Sequence, residues 1–350
     1  MTGGADKVGL VVGASGIIGR AVSKELITRG WSVIGLGRRP IGGMPSISVD
    51  LTDSAATQAA LGAASGVTHV FYAALSPDPD LGVEAGRNAA MLAAVLDGLE
   101  AIGSPLRRVV VYQGFKIYGV HLGARVRTPA RESDPSHMPP NLYLAQEAQL
   151  KERAKGSAWD YVALRPDVVV GDTYGNPMNI ATTIGVYAEI SRALGVPLRF
   201  PGLNSAYDKL AQFTDAGLLA RASLWAAETP SAGGEAFNVT NGDVFRWERM
   251  WEDVAHYFQL DVAPPVPLVL SKHMMDKGPL WRQIASRYRL VENDLSRLVS
   301  WSFGDFIFRI DSDVICDVNK IHDWGFGERM NSRASLIGVL ESLRRQKILP

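Results

Sequence analysis

Val8-Gly9-Leu10-Val11-Val12-Gly13-Ala14-Ser15-Gly16-Ile17-Ile18-Gly19 decides how this chain folds. A short apolar run of strand length breaks on a glycine, and an apolar-periodic stretch follows from Ile17 to Thr28. Three glycines at threefold spacing join the two. In that context Gly13 permits a tight turn, Gly16 lets backbone approach a pyrophosphate, and Gly19 lets the helix pack on the sheet. Ser15, Ile17 and Ile18 supply the remaining backbone of the expected phosphate cradle, where a helix N-terminus offers N–H donors and partial positive charge.

The pattern continues outward. Ser32–Leu36, Ile47–Val49, Val67–Ala73, Arg108–Tyr112 and Trp159–Leu164 read as strands, and Glu84–Ile102 and Leu142–Ala154 read as helices. Strands alternating with helices at these lengths predict an α/β fold, a Rossmann-type doubly wound parallel sheet. After Gly171 the regularity weakens. Helical stretches at Thr183–Leu194 and Asp215–Glu228 alternate with loops, and tryptophans become frequent from Phe245 onward. We therefore expect a dinucleotide-binding domain over residues 1–171 and a smaller, mainly helical substrate lobe over 172–350. The two are expected to interleave, with about 212–244, including a strand at Glu235–Val239, returning to the sheet.

Composition narrows the classes. In 350 residues, 47% are apolar, 21% are charged, and Lys+Arg balance Asp+Glu at 36 each. That balance argues against a nucleic-acid partner. A single cysteine, Cys316, excludes an intramolecular disulfide, and six scattered histidines without HxxxH or HxH spacing give no metal site. The N-terminal segment lacks the pattern of a signal peptide, and no stretch reaches membrane-spanning length. A cytoplasmic protein without a membrane partner is the expectation. Oligomeric state is left open, with a homodimer as the candidate assembly.

The cofactor's identity is read after the second strand. An NAD site places Asp or Glu roughly 20 residues beyond the glycines, to hold the ribose 2′-hydroxyl. This chain has Gly35-Leu36-Gly37-Arg38-Arg39 there. With no carboxylate to repel a 2′-phosphate and two arginines to pair with it, NADPH is expected, held by Gly37, Arg38 and Arg39. Solvated surface arginines are the competing reading of either one alone. Asp50 would either meet the adenine amino group or cap the helix beginning near Asp53.

Chemistry centres on Tyr143, in Asn141-Leu142-Tyr143-Leu144-Ala145-Gln146-Glu147. In short-chain dehydrogenases a lysine four residues on shares the tyrosine's helical face and lowers the phenol pKa. Here that position is Glu147. One contiguous YxxxK does occur, Tyr112-Gln113-Gly114-Phe115-Lys116, but it runs from a strand into a loop, where positions i and i+4 do not stack. Tyr112 is therefore a decoy. Lys116 itself lies just past the C-terminal end of a central strand, the edge at which open α/β sheets bind ligands, and it is the expected partner of Tyr143.

Several segments together resemble the progesterone 5β-reductase/iridoid synthase-like (PRISE) family of atypical extended short-chain dehydrogenases. They are the Gly13–Gly19 turn, Gly114-Phe115-Lys116-Ile117-Tyr118, Asn141-Leu142-Tyr143, Glu235-Ala236-Phe237-Asn238-Val239-Thr240-Asn241-Gly242-Asp243-Val244-Phe245, Trp301-Ser302-Phe303-Gly304-Asp305 and the terminal Ile348-Leu349-Pro350. The resemblance implies NADPH-dependent reduction of activated C=C bonds in small enones and enals. Hydride goes to the β-carbon while Tyr143 donates a hydrogen bond to the enolate oxygen and Lys116 holds the ribose. It extends the expected cofactor site to Ala73, Ala74, Gln113, Lys116, Tyr143, Pro166 and Val168, and sets Phe303, Trp301 and Leu75 in the substrate pocket. The chain departs from the family at Leu144, where a second tyrosine is usual, and at Val120-His121-Leu122, where Gly-Pro-Phe is usual. Two rival functions remain: a carbonyl reductase or epimerase on the same scaffold, and a non-catalytic NADPH-binding sensor.

Overall fold

The computed structural model describes residues 7–122, 126–176 and 178–350. Seven strands form one parallel sheet: β1 Val8–Val12, β2 Ser32–Gly37, β3 Ser46–Ser48, β4 His69–Tyr72, β5 Arg108–Tyr112, β6 Asp160–Pro166 and β7 Ala236–Val239. Their order is β3-β2-β1-β4-β5-β6-β7. The crossover direction reverses between β1 and β4, which opens a crevice above their C-terminal ends.

The longer helices are α1 Ile17–Thr28, α2 Ser54–Ala60, α3 Leu81–Ala101, α4 Leu142–Ala154, α5 Ile180–Ala193, α6 Ala216–Glu228, α7 Trp247–Phe258, α8 Gly278–Tyr288, α9 Trp301–Phe308 and α10 Ser332–Arg345. Side-chain alternation along the strands builds two cores. Leu10, Val12, Val70, Tyr72, Val109, Val111, Tyr161 and Ala163 pack on the side of α2, α3 and α4. Val11, Phe71, Val110, Tyr112, Val162 and Leu164 face the other way, against α1 and α6. Both faces are covered, so the strands read as unbroken apolar runs rather than alternating ones.

A third core fills the C-terminal half. Phe200 meets the rings of Trp247, Trp251 and Phe308 at centroid distances of 5.8, 5.3 and 5.3 Å. The chain's last residues join it: Ile348 and Leu349 are buried, and Leu349 packs so closely on Gly185 of α5 that a side chain there would clash. Among the described residues, no helix is long and apolar enough to cross a membrane.

Strand β7 extends the sheet beyond β6, as the Glu235–Val239 stretch led us to expect. The turn after it stitches the two halves together. Asn241 accepts the Asp215 N–H and donates to Ser332, and Asp243 accepts the Ser332 N–H. Asn238, fully buried, donates to the carbonyl oxygens of Ala130 and Asp317. Those hydrogen bonds account for the asparagines and the aspartate in the most family-specific stretch of the sequence.

Candidate active site

The β1–α1 turn has the geometry that a pyrophosphate requires. Gly13 has φ +79°, and a Cβ there would fall 2.8 Å from the backbone of Ala73 and Ala74. A Cβ on Gly19 would lie 2.3 Å from the Gly13 carbonyl oxygen. Gly16 is the N-cap of α1 and supplies no side-chain cap, so the first N–H groups, from Ile17 and Ile18 onward, remain open to an anion. Ser15 sits half-buried in the same turn, and Ala73 and Ala74 line its far side.

The two arginines beyond β2 differ. Arg39 is exposed and donates to the Gly175 carbonyl oxygen at 2.8 Å, tying the turn to the segment before α5. Arg38, also exposed, follows Gly37 directly and makes no side-chain hydrogen bond among the described residues. Asp50 does not cap α2. Its Oδ1 accepts from the Thr52 N–H and hydroxyl at 3.0 and 2.9 Å, which hold its carboxyl below the usual range, and Asp53 caps the helix instead.

The Tyr143 and Lys116 segments are tied together by Asn141. Its Oδ1 caps α4 by accepting from the Tyr143 N–H at 2.9 Å, and its Nδ2 donates to the Lys116 carbonyl oxygen at 3.0 Å. One side chain thereby fixes the register of the helix against the short 3-10 turn Phe115–Tyr118. The Tyr143 phenol lies so close over Gly114 that a Cβ there would be 2.9 Å from its hydroxyl. Burial raises the Tyr143 pKa, a backbone hydrogen bond from Gly114 opposes this, and the charge of Glu84 adds to it. Lys116 Nζ stands 3.5 Å from that same Glu84 carboxylate.

Glu147, in the place of the usual lysine, faces a different task. Its carboxylate pairs with Arg165 at 3.1 Å and accepts from the Gln113 amide at 2.8 Å. Gln113 in turn accepts from Arg165 Nε at 2.9 Å and donates to the Tyr143 carbonyl oxygen at 3.3 Å. The ends of β5 and β6 and the start of α4 are thus locked by one charged network. Gln113 is completely buried with its side chain committed to that network, so it supports the site's floor. Tyr112 points to the opposite face of the sheet, where its hydroxyl meets Ser223 of α6 at 2.8 Å. Burial raises its pKa strongly.

Of the residues expected at the substrate pocket, Phe303 and Trp301 are half-buried against the C-terminal core, and Leu75 is exposed. Pro166 is buried at the end of β6, and Val168 lines a cavity of about 30 Å³ with Asp167, Gln212, Ile307, Ile310 and Val314. That is room for one water. Asp167 is a buried acid that the sequence reading passed over. Among the described residues its Oδ1 accepts only from the Val168 N–H, and burial pushes its carboxyl up to about 7. Beside Lys116, His121 packs edge-on against His137, and burial holds it down at about 4. His137 faces the Lys116 carbonyl oxygen at 3.2 Å. Asn88, completely buried, clamps the Ser76 loop to α3 through two hydrogen bonds and donates a third to the Glu84 carbonyl oxygen.

Residues 50–350 match the PRISE-like Rossmann-fold domain. The chain belongs to this family. Among PRISE relatives it is 31% identical over 365 residues to an (S)-8-oxocitronellyl enol synthase of Camptotheca acuminata, covering 98% of this chain and 93% of that one. It is likewise 31% identical over 367 residues to the 3-oxo-Δ(4,5)-steroid 5β-reductase of Arabidopsis thaliana, covering 99% and 94%. The fold is similar to that of the UDP-glucose 4-epimerase of Thermotoga maritima, with TM-score 0.68 at 16% identity over 97% of this chain and 99% of that one. Within this chain, Asn141 is the physical link between the Lys116 and Tyr143 segments.

Proposed function

We propose that this PRISE protein is an NADPH-dependent reductase of activated C=C bonds in small enones and enals. The observation that carries the reading is the Asn141 bridge, which sets the Tyr143 phenol and the Lys116 segment on one side of the sheet's C-terminal edge. The names of the relatives, an enol synthase and a steroid 5β-reductase, support it.

The open N–H groups after Gly16 and the glycines that leave no room for side chains suit a dinucleotide pyrophosphate. Arg38 and Arg39 would pair with a 2′-phosphate, and Lys116 would hold the nicotinamide ribose. Bound there, NADPH supplies the hydride that adds to the β-carbon of the substrate. Tyr143 then meets negative charge as it develops on the carbonyl oxygen, and a hydrogen bond aimed at that atom stabilises the transition state more than the ground state.

An oxyanion donor is worth about 3 kcal/mol, so Tyr143→Phe is expected to lose roughly a hundredfold or more in kcat on a good enone. Near-normal turnover would remove Tyr143 from the mechanism. A carbonyl-reductase or epimerase reading is disfavoured by Glu147, because the usual helical lysine position is committed to Arg165.

A further inference from the structure

Helix α3 starts at Leu81 and carries Glu84 in its first turn, with only 3% of that residue exposed. A carboxylate that deep needs a partner. Among the described residues its one ion pair is with Lys116. The surrounding backbone is fixed. Asn88, one turn along, donates to the carbonyl oxygens of Glu84 and Ser76 at 2.8 Å each, and Gln146 of α4 donates to the Asn88 carbonyl oxygen at 3.2 Å. The start of α3 also offers partial positive charge that favours an ionised side chain.

The same carboxylate acts on Tyr143, where its charge opposes ionisation of the phenol. In a helical tyrosine–lysine pair the ammonium acts alone and promotes that ionisation. Here the cation arrives with an anion: the Lys116 ammonium stands 3.5 Å from the Glu84 carboxylate, which screens its charge. Other charged groups nearby are already engaged: Glu147 with Arg165, and Arg87 with Asp78 at 2.8 Å. His121 is kept neutral by burial and by Lys116. His137 turns one ring nitrogen to the Lys116 carbonyl oxygen and the other to that of Met138.

We propose that Glu84 is a positioning residue of this active site: its buried carboxylate holds the Lys116 ammonium and offsets its charge, so that Tyr143 works as a neutral hydrogen-bond donor and not as a phenolate. The proposal rests on the enone-reductase reading and deepens it. Conjugate reduction needs a donor that stabilises an enolate oxygen, whereas reversible alcohol chemistry needs a phenolate that can take a hydroxyl proton. A buried acid on α3 supplies the difference.

The test follows the phenol directly. With tyrosines labelled at ring carbon ζ, the Tyr143 NMR signal is assigned by its loss in Tyr143→Phe and titrated in the wild type and in Glu84→Gln. The variant is expected to ionise about one pH unit lower. The alkaline limb of its kcat/KM profile on an enone should move down with it, while NADPH affinity changes less than threefold. An unchanged midpoint in a folded, NADPH-binding Glu84→Gln protein overturns the proposal. Should that variant not fold, Lys116→Gln serves, since Glu84 is then unopposed. Its Tyr143 midpoint must rise, and a midpoint that stays put overturns the proposal equally. A wild type that reduces no enone would defeat the enone reading alone, because the titration decides the role of Glu84 without turnover.

Discussion

Asn141 Nδ2 donates to the Lys116 carbonyl oxygen at 3.0 Å while its Oδ1 accepts from the Tyr143 N–H at 2.9 Å. Two segments of the proposed site, far apart in sequence, are aligned by one amide, which needs both a donor and an acceptor end. Asn141→Asp keeps the helix cap but turns a carboxylate oxygen toward the Lys116 carbonyl. We expect kcat on an enone to fall at least tenfold, with the thermal midpoint lowered by the equivalent of about 1–3 kcal/mol. Steady-state kinetics and thermal melts check this, and wild-type kcat would show that the bridge is dispensable.

Restoring the helical lysine should do harm. Glu147→Lys sets a second cation against Arg165, whose guanidinium is largely buried and pairs with Glu147 at 3.1 Å. Breaking such a pair from one side costs about 3–5 kcal/mol. The expected outcome is a marked loss of thermal stability and lower activity, read by calorimetry and turnover. A stable variant with ordinary carbonyl-reductase activity would mean that the network is not what holds the site.

Cofactor choice should respond to Arg38 more than to Arg39, because Arg39 is partly committed to the Gly175 carbonyl oxygen. Arg38→Ala is expected to raise the KM for NADPH about tenfold and to leave that for NADH nearly unchanged. Equal effects on both cofactors would place the 2′-phosphate elsewhere.

Asp167 ties stability to pH. Its carboxyl ionises near 3.8 without the fold and at about 7 within it. Between those values the unfolded chain loses the proton and the folded chain keeps it, so stability falls as pH rises through that window. The rise corresponds to at most ~4 kcal/mol at ~1.4 kcal/mol per pH unit. Asp167→Asn, which imitates the protonated acid, should therefore raise the thermal midpoint at pH 8 and bring little gain at pH 4. A gain that is the same at both pH values would contradict a buried, late-ionising acid.

The parallel sheet was legible because its strands are short apolar runs separated by helices, and α4 begins and ends where its composition indicates, at Leu142 and Ala154. Boundaries moved where capping decides them. Helix α3 starts at Leu81, not Glu84, because Asp80 accepts the N–H groups of Gly82 and Val83. The same shift conceals Glu84 as a first-turn acid directed at Lys116. Tyr112 could be set aside from sequence, since strand alternation sends it to the α6 face. Asn88 and Asp167 could not be read, because each looks like an ordinary polar residue until burial and partners are seen. Phe303 rests against the C-terminal core, and Ile307, on the next turn, lines the small cavity beside Asp167.

The most direct measurement supplies the protein with NADPH carrying deuterium at C4 and a panel of small enones, then locates the label by NMR. Deuterium on the β-carbon, with the carbonyl intact, is the predicted result. Deuterium on a carbinol carbon, or no transfer to any of them, would contradict the account.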